Sequence, residues 1–175
     1  MGEYLKKIQR PESGFTLIEI MVVIAIIGTL SMIALPNFIG SRNNSMLKSA
    51  ARDILGDINK IKMNAIKDNK AWSINFISDG YQIQGPVNVV KTIKFNNNKS
   101  GVIYGKGSAT IAIGANFGSP DFITYNGNTL TFNSRGTCNS GYIYLTNKQG
   151  TVFGIGTLAS GITIFKQWMG SNWSN

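Results

Sequence analysis

The chain has 175 residues, with 17 Lys and Arg against 8 Asp and Glu, no histidine and one cysteine, and a formal charge of +9. These counts exclude histidine-based catalytic triads and histidine metal sites, and a lone thiol, Cys138, builds neither an internal disulfide nor a thiolate metal site. The basic surplus attracts acidic lipid, nucleic acid or acidic protein surfaces, or is simply a soluble basic face. Aliphatic and aromatic residues recur to the end, so composition argues against disorder and leaves about 140 residues beyond the first segments for one compact domain.

Residues 1–14 read as a short basic leader, with Lys6, Lys7 and Arg10 against Glu3 and Glu12. From Phe15 to Leu35 the one charge is Glu19. As a helix rising about 1.5 Å per residue, this stretch covers roughly the 30 Å hydrocarbon core of a bilayer. Starting after Glu19 leaves it short, so a full span draws the carboxylate into or against the membrane. A charge at mid-bilayer costs on the order of 3 kcal/mol, and less near an interface. Two readings stand: Glu19 snorkels to the headgroups, or it meets a cation supplied later. A cut between Gly14 and Phe15 would supply one, a new α-amino group four residues before Glu19, within reach of its own carboxylate or a neighbour's. Gly28 weakens the helix, and Pro36, which lacks an amide hydrogen, predicts a kink near residues 32–36.

A basic leader ending in glycine, then Phe15-Thr16-Leu17-Ile18-Glu19 and a continuous apolar helix to Pro36, resembles the processing signal of type IV pilins and pseudopilins. A conventional secretory signal is the rival, but its apolar core is shorter and its cleavage site follows that core. The resemblance implies that a prepilin peptidase cuts between Gly14 and Phe15 and methylates Phe15, and that Glu19 registers each subunit in a filament. It implies a single-pass inner-membrane protein with a cytoplasmic leader and an extracytoplasmic domain. Charge alone does not orient the chain, since Lys6, Lys7 and Arg10 before the anchor balance Arg42, Lys48 and Arg52 after it.

Residues 36–68 continue the helix with a different character. Leu47, Ala51, Ile54, Ile58, Ile61 and Ala65 recur at spacings of four and three and share one face, with Lys48, Arg52, Asn59, Lys60, Lys62 and Asn64 on the others. This stripe predicts packing against a β-sheet; it is too short to argue a coiled coil. Asp53 and Asp57, one turn apart, form either a solvated helix face or a carboxylate pair fit for acid–base work or a cation. Gly105-Lys106-Gly107-Ser108 lacks the context of a phosphate cradle and reads as a loop.

Residues 69–175 form a β-rich region. Short β-branched and aromatic runs at Ala71–Ile77, Gly80–Gln84, Val87–Phe95, Ser108–Ile113, Phe122–Tyr125, Thr129–Phe132, Gly141–Thr146, Thr151–Ile155 and Ile162–Phe165 predict strands. Turn formers separate them: Asp79-Gly80, Asn96-Asn97-Asn98, Gly118-Ser119-Pro120, Asn126-Gly127 and Lys148-Gln149-Gly150. Asn126-Gly127 predicts a two-residue hairpin. One helix followed by strands alone is an α+β protein with antiparallel sheet. Leu130-Thr131-Phe132 through Gly136, then Gly141–Leu145 and Gly150–Phe153, is similar to the closing strands of the GspH/FimT group, of which only the Ala65-Ile66 pair of the usual helix motif is kept.

The resemblance implies a pilin-like fold and a non-enzymatic subunit of a type II secretion pseudopilus or type IV pilus, one that primes or caps the filament. Its partners would be prepilin peptidase, other pilin or pseudopilin subunits, an inner-membrane assembly platform and the membrane itself, with no cofactor and no metal. A second reading is a DNA-binding minor pilin of an uptake system. Removing the leader leaves 14 basic and 6 acidic residues, a charge of +8. Lys91, Lys94, Lys99, Lys106, Arg135, Lys148 and Lys166 are the candidate nucleic-acid contacts, and the tail Lys166-Gln167-Trp168 to Trp173 combines one basic residue with aromatics as single-strand binders do. A third reading is an anchored outer domain that never assembles.

Overall fold

The computed structural model describes residues 14–95 and 101–174, without the side chains of residues 33–37. The leader through residue 13, Lys99 and the Asn96-Asn97-Asn98 turn therefore lie outside the described residues. The chain divides between Ile39 and Gly40 into two units.

One helix, α1 (Leu17–Asp68), contributes to both units. Its helical assignment is continuous through Gly28 and Pro36; the side-chain surroundings of the expected kink fall among residues 33–37 and lie outside the described residues. The helix ends where the periodicity changes. Asn69 turns to a positive φ of 50°, and the amides of Asn69 and Lys70 donate back to the carbonyls of Ile66 and Ala65 at 3.3 and 3.2 Å. This paired closure satisfies carbonyls that would otherwise be orphaned, and asparagine tolerates the left-handed residue it needs.

In the first unit the helix is apolar all round. Ile18, Ile24, Ile27 and Leu30 are 65, 63, 58 and 62% exposed, so among the described residues of the unit no face of the helix is covered. Among the described residues no helix is long and apolar enough to cross a membrane; the predicted anchor runs on into residues 33–35.

The second unit is built on the amphipathic half of α1. All six stripe residues, Leu47 through Ala65, are fully buried. Two antiparallel sheets supply the rest of the core. The first has the order β3-β2-β1-β5, with β1 (Trp72–Ile77), β2 (Gly80–Gln84), β3 (Val89–Lys94) and β5 (Thr129–Phe132). The second has the order β4-β6-β7-β8-β9, with β4 (Ile103–Tyr104), β6 (Gly141–Thr146), β7 (Val152–Thr157), β8 (Thr163–Trp168) and β9 (Trp173–Ser174). Ile74, Phe76, Tyr81, Leu130 and Phe132 from the first sheet and Ile143, Leu145, Phe153 and Ile155 from the second meet the helix stripe in one cluster. Each large aliphatic side chain there contributes about 2 kcal/mol by leaving water. The α+β, pilin-like architecture expected from the sequence is the one observed.

The second sheet is covered on its other face too, which explains why β6 and β7 read as nearly continuous apolar runs. Tyr144, Val152, Trp168 and Ala109 form a smaller cluster there with Ile113, Phe117 and Trp173. Two expected strands become this cover. Ser108–Ile113 is a loop: Ala109 is buried, and the Ile113 amide donates to the Tyr144 hydroxyl at 3.0 Å instead of joining a ladder. Phe122–Tyr125 makes a single bridge, Ile123 with Ile143. The Asn126-Gly127 hairpin is also corrected. Positive φ falls on Gly127 and Asn128, in a short 3-10 turn, and β5 leaves it to pair with β1 in the other sheet, Trp72 opposite Phe132. The short strands β4 and β9 had no separate signal.

Candidate processing and assembly site

The site sits at the start of α1. Gly14 to Thr16 are non-helical and exposed, with Phe15 80% exposed, and the helix begins at Leu17. Thr16 is the cap. The Glu19 amide donates to the Thr16 hydroxyl at 3.3 Å, and the Thr16 amide donates to the Glu19 carboxylate at 3.5 Å. This is a reciprocal capping box, Thr-x-x-Glu, which satisfies two amides that a helix start leaves open. Glu19 also places negative charge where the helix dipole favours it. Among the described residues Glu19 has no ion pair. The sequence reading identified Glu19 but missed Thr16; the Thr-x-x-Glu spacing ahead of an apolar run was the available signal.

Local structure thus presents the Gly14–Phe15 bond on an exposed, non-helical segment just ahead of the capped helix. The carboxylate already reaches back to the amide of residue 16. An α-amine at Phe15 would stand one residue beyond that amide.

The basic candidates do not form one surface. Lys91 on β3 lies 3.9 Å from Asp57, and Lys94 lies 3.1 Å from Asp79. Arg135 sits exposed on the turn after β5, where Asn133 Oδ1 accepts from the Arg135 and Thr137 amides at 3.0 and 3.2 Å. That turn is near Lys62 and Ile66, late in the helix. Lys148 sits on the β6–β7 turn, which is bonded to Asn44, early in the helix. At about 1.5 Å per residue the two turns are roughly 30 Å apart along α1. Lys106 approaches the Phe117 ring at 5.8 Å, and Lys166 is half-buried on β8. The tail aromatics are engaged: Trp168 and Trp173 pack on each other at 5.4 Å, Trp173 on Tyr144 at 5.7 Å, and the Trp173 indole donates to the Ile111 carbonyl at 2.7 Å. Their faces serve the fold rather than bases.

Asp57 is likewise structural. It accepts from the Tyr81 hydroxyl at 2.7 Å, and burial, then the bond to Asp57, pushes the Tyr81 hydroxyl far above its usual ionisation range. Cys138 is half-buried and its thiol donates to the Leu158 carbonyl at 3.2 Å. No group of acidic or thiol side chains among the described residues is arranged to hold a metal ion.

A capped helix, apolar at its start except for Glu19, whose second half packs on two antiparallel sheets defines a pilin-like α+β protein. Residues 9–35 match the prokaryotic N-terminal methylation motif, and residues 50–161, well over half of the chain, match the type II transport protein GspH model. The chain belongs to the type II transport protein GspH family. It is also similar to the type II secretion system core protein G of Aeromonas hydrophila, 37% identical over 62 residues, covering 35% of this chain and 43% of the relative. The core protein G of Escherichia coli K12 is 32% identical over 92 residues, covering 53% and 61%. That of Vibrio cholerae is 35% identical over 66 residues, covering 38% and 44%. The chain thus spans less than two thirds of the length of these curated relatives. No solved structure matches it.

Proposed function

We propose that this chain is a pseudopilin subunit: a prepilin peptidase removes residues 1–14, and the mature protein is stored in the inner membrane and then assembled into a type II secretion pseudopilus. Residues 15–35 form the anchor and later the filament core, residues 36–68 carry the helix into the domain, and residues 69–175 complete the domain on the extracytoplasmic side. The inner-membrane assembly platform draws the subunit out of the bilayer, and this member primes or caps the filament. It acts by packing and charge pairing rather than by catalysis.

The observation that carries this reading is the pairing of an all-round apolar helix with a carboxylate held at its first turn. Exposed apolar area on that scale requires lipid or neighbouring helices to cover it. In lipid, hydrophobicity alone does not choose between partners, so close packing and polar contacts must. A new amine at Phe15 gives Glu19 a cation, its own or a neighbour's, and exchanging one for the other during assembly sets axial register.

Glu19→Ala tests this. The variant is expected to fractionate with the membrane as the wild type does and to lose at least tenfold in cross-linked, sheared-filament material. Normal incorporation would remove Glu19 from the assembly step.

A further inference from the structure

We propose that the end of the second unit at which its helix begins is a collar for the headgroups of anionic phospholipid. Three segments of chain meet there. Asn44 of α1 accepts hydrogen bonds from the Asn147 side-chain amide at 2.7 Å and the Thr151 hydroxyl at 2.8 Å, which ties the helix to the β6–β7 turn. That turn meets the loop after β4, where the Ser108 amide and hydroxyl both donate to the Gly150 carbonyl, at 3.0 and 2.8 Å. Each segment brings exposed cations: Arg42 and Lys48 from the helix, Lys148 from the turn, Lys106 from the loop. Among the described residues none of the four is in an ion pair, and the Asp79 carboxylate of the β1–β2 turn is taken by Lys94.

Between the helix and strands β7 and β8 lies a hollow of about 430 Å³, lined by Ser41, Asn44, Ser45, Lys48, Thr151 and Gln167 among others, with Lys48 as the cation in its wall. Hydroxyl and amide donors around an ammonium group are what a phosphodiester accepts from. The proposed anchor ends at Leu35, and Arg42 and Lys48 follow it by seven and thirteen positions. DNA offers the same phosphate, but the aromatic faces a single-strand binder needs are packed away at Trp168 and Trp173. The collar rests on the reading of residues 15–35 as a membrane anchor. It goes beyond that reading by giving the domain itself an affinity for the acidic membrane surface, which assembly must then release.

The test uses the full chain in vesicles of phosphatidylcholine and in vesicles of phosphatidylcholine with phosphatidylglycerol, read by amide hydrogen exchange. Each cation near an acidic surface favours the docked state by roughly fivefold. Exchange in residues 41–48 and 147–151 is expected to slow by at least about fivefold in the phosphatidylglycerol vesicles, and the slowing should vanish at high salt. Combining Lys48→Gln, Lys106→Gln and Lys148→Gln should abolish it while exchange in β7 stays unchanged, which shows that the fold is kept. Equal exchange in both lipids, with the chain floating with both, overturns the collar alone. Failure to float with either vesicle overturns the anchor reading and the collar with it. Protection of the same peptides by added DNA in phosphatidylcholine vesicles, without any effect of phosphatidylglycerol, overturns lipid as the ligand.

Discussion

Glu19 is bound by the helix it starts. Its carboxylate accepts from the Thr16 amide while its own amide donates to the Thr16 hydroxyl, so a later cation must compete with a local hydrogen bond worth about 1 kcal/mol. A charge pair in a low-dielectric surrounding exceeds that, and the same bond in water does not. The residue is therefore suited to exchange partners when it passes from one environment to another. Elsewhere single residues set the packing. In β7, Phe153 and Ile155 face the main core while Gly154 and Gly156 alternate with them under the outer cover. A Cβ on Gly156 would fall on the Tyr142 ring and on the Gly141 backbone oxygen, and the backbone cannot move aside. Gly156→Ala is expected to destabilise the domain by about 1–3 kcal/mol, measured as a lower urea midpoint at unchanged slope; a neutral result would mean that the two strands separate more easily than their packing indicates.

At the scale of elements, the helix was legible and parts of the sheets were not. The stripe from Leu47 to Ala65 depends only on local period, and every member is buried. The runs at Gly80–Gln84, Thr129–Phe132 and Gly141–Thr146 are strands with the expected bounds, because the turn residues around them act locally. Asn126-Gly127 misled because what decides a hairpin is whether its two arms pair. Here Ile123 bridges to β6 in one sheet and β5 pairs with β1 in the other. Ser108–Ile113 misled because a loop buried over a sheet carries the same apolar residues as a strand. At the start of the chain, the methylation motif that spans Gly14, Phe15 and Glu19 was readable, since it is linear in sequence. The meeting of the segments that carry Arg42, Lys48, Lys106 and Lys148 was not, since it depends on which turn meets which helix. The clamp that makes that meeting is Asn147, whose Oδ1 accepts from the Gln149 and Thr151 amides at 3.1 Å each while its amide reaches Asn44. Asn147→Ala leaves those amides without their acceptor at a nearly buried position and is expected to cost about 2 kcal/mol. Hydrogen exchange should show the loss first as faster exchange in residues 147–151; unchanged exchange there would show the turn to be held by its backbone alone.

At the scale of the whole molecule, the two parts of the chain answer to different solvents. The large apolar side chains described in the first unit are exposed, and the second unit closes its own core. Tyrosine hydroxyls enter that core, where the one on Tyr125 meets the fully buried Thr157 hydroxyl at 2.9 Å. Burial raises the hydroxyls of Tyr81 and Tyr125 well above the usual value near 10, and both residues are almost fully buried. Each therefore contributes its full stability below pH 10. As pH rises past 10 the unfolded chain loses these protons while the folded chain keeps them, so stability falls by about 1.4 kcal/mol per tyrosine per pH unit. Denaturant midpoints from pH 8 to 11 should turn down above 10, and Tyr81→Phe with Tyr125→Phe should flatten the decline. The proposed function joins the basic domain, the apolar rod and the accessible Gly14–Phe15 segment in one sequence of events: removal of the leader, storage in the membrane, and assembly by exchange of the charge partner. Everything after the first event depends on the new amino terminus. The most direct measurement is the mass of the N-terminal peptide of the chain expressed with an active prepilin peptidase: the account predicts a mature chain beginning at N-methylated Phe15, and a chain still carrying Met1 through Gly14 would contradict it.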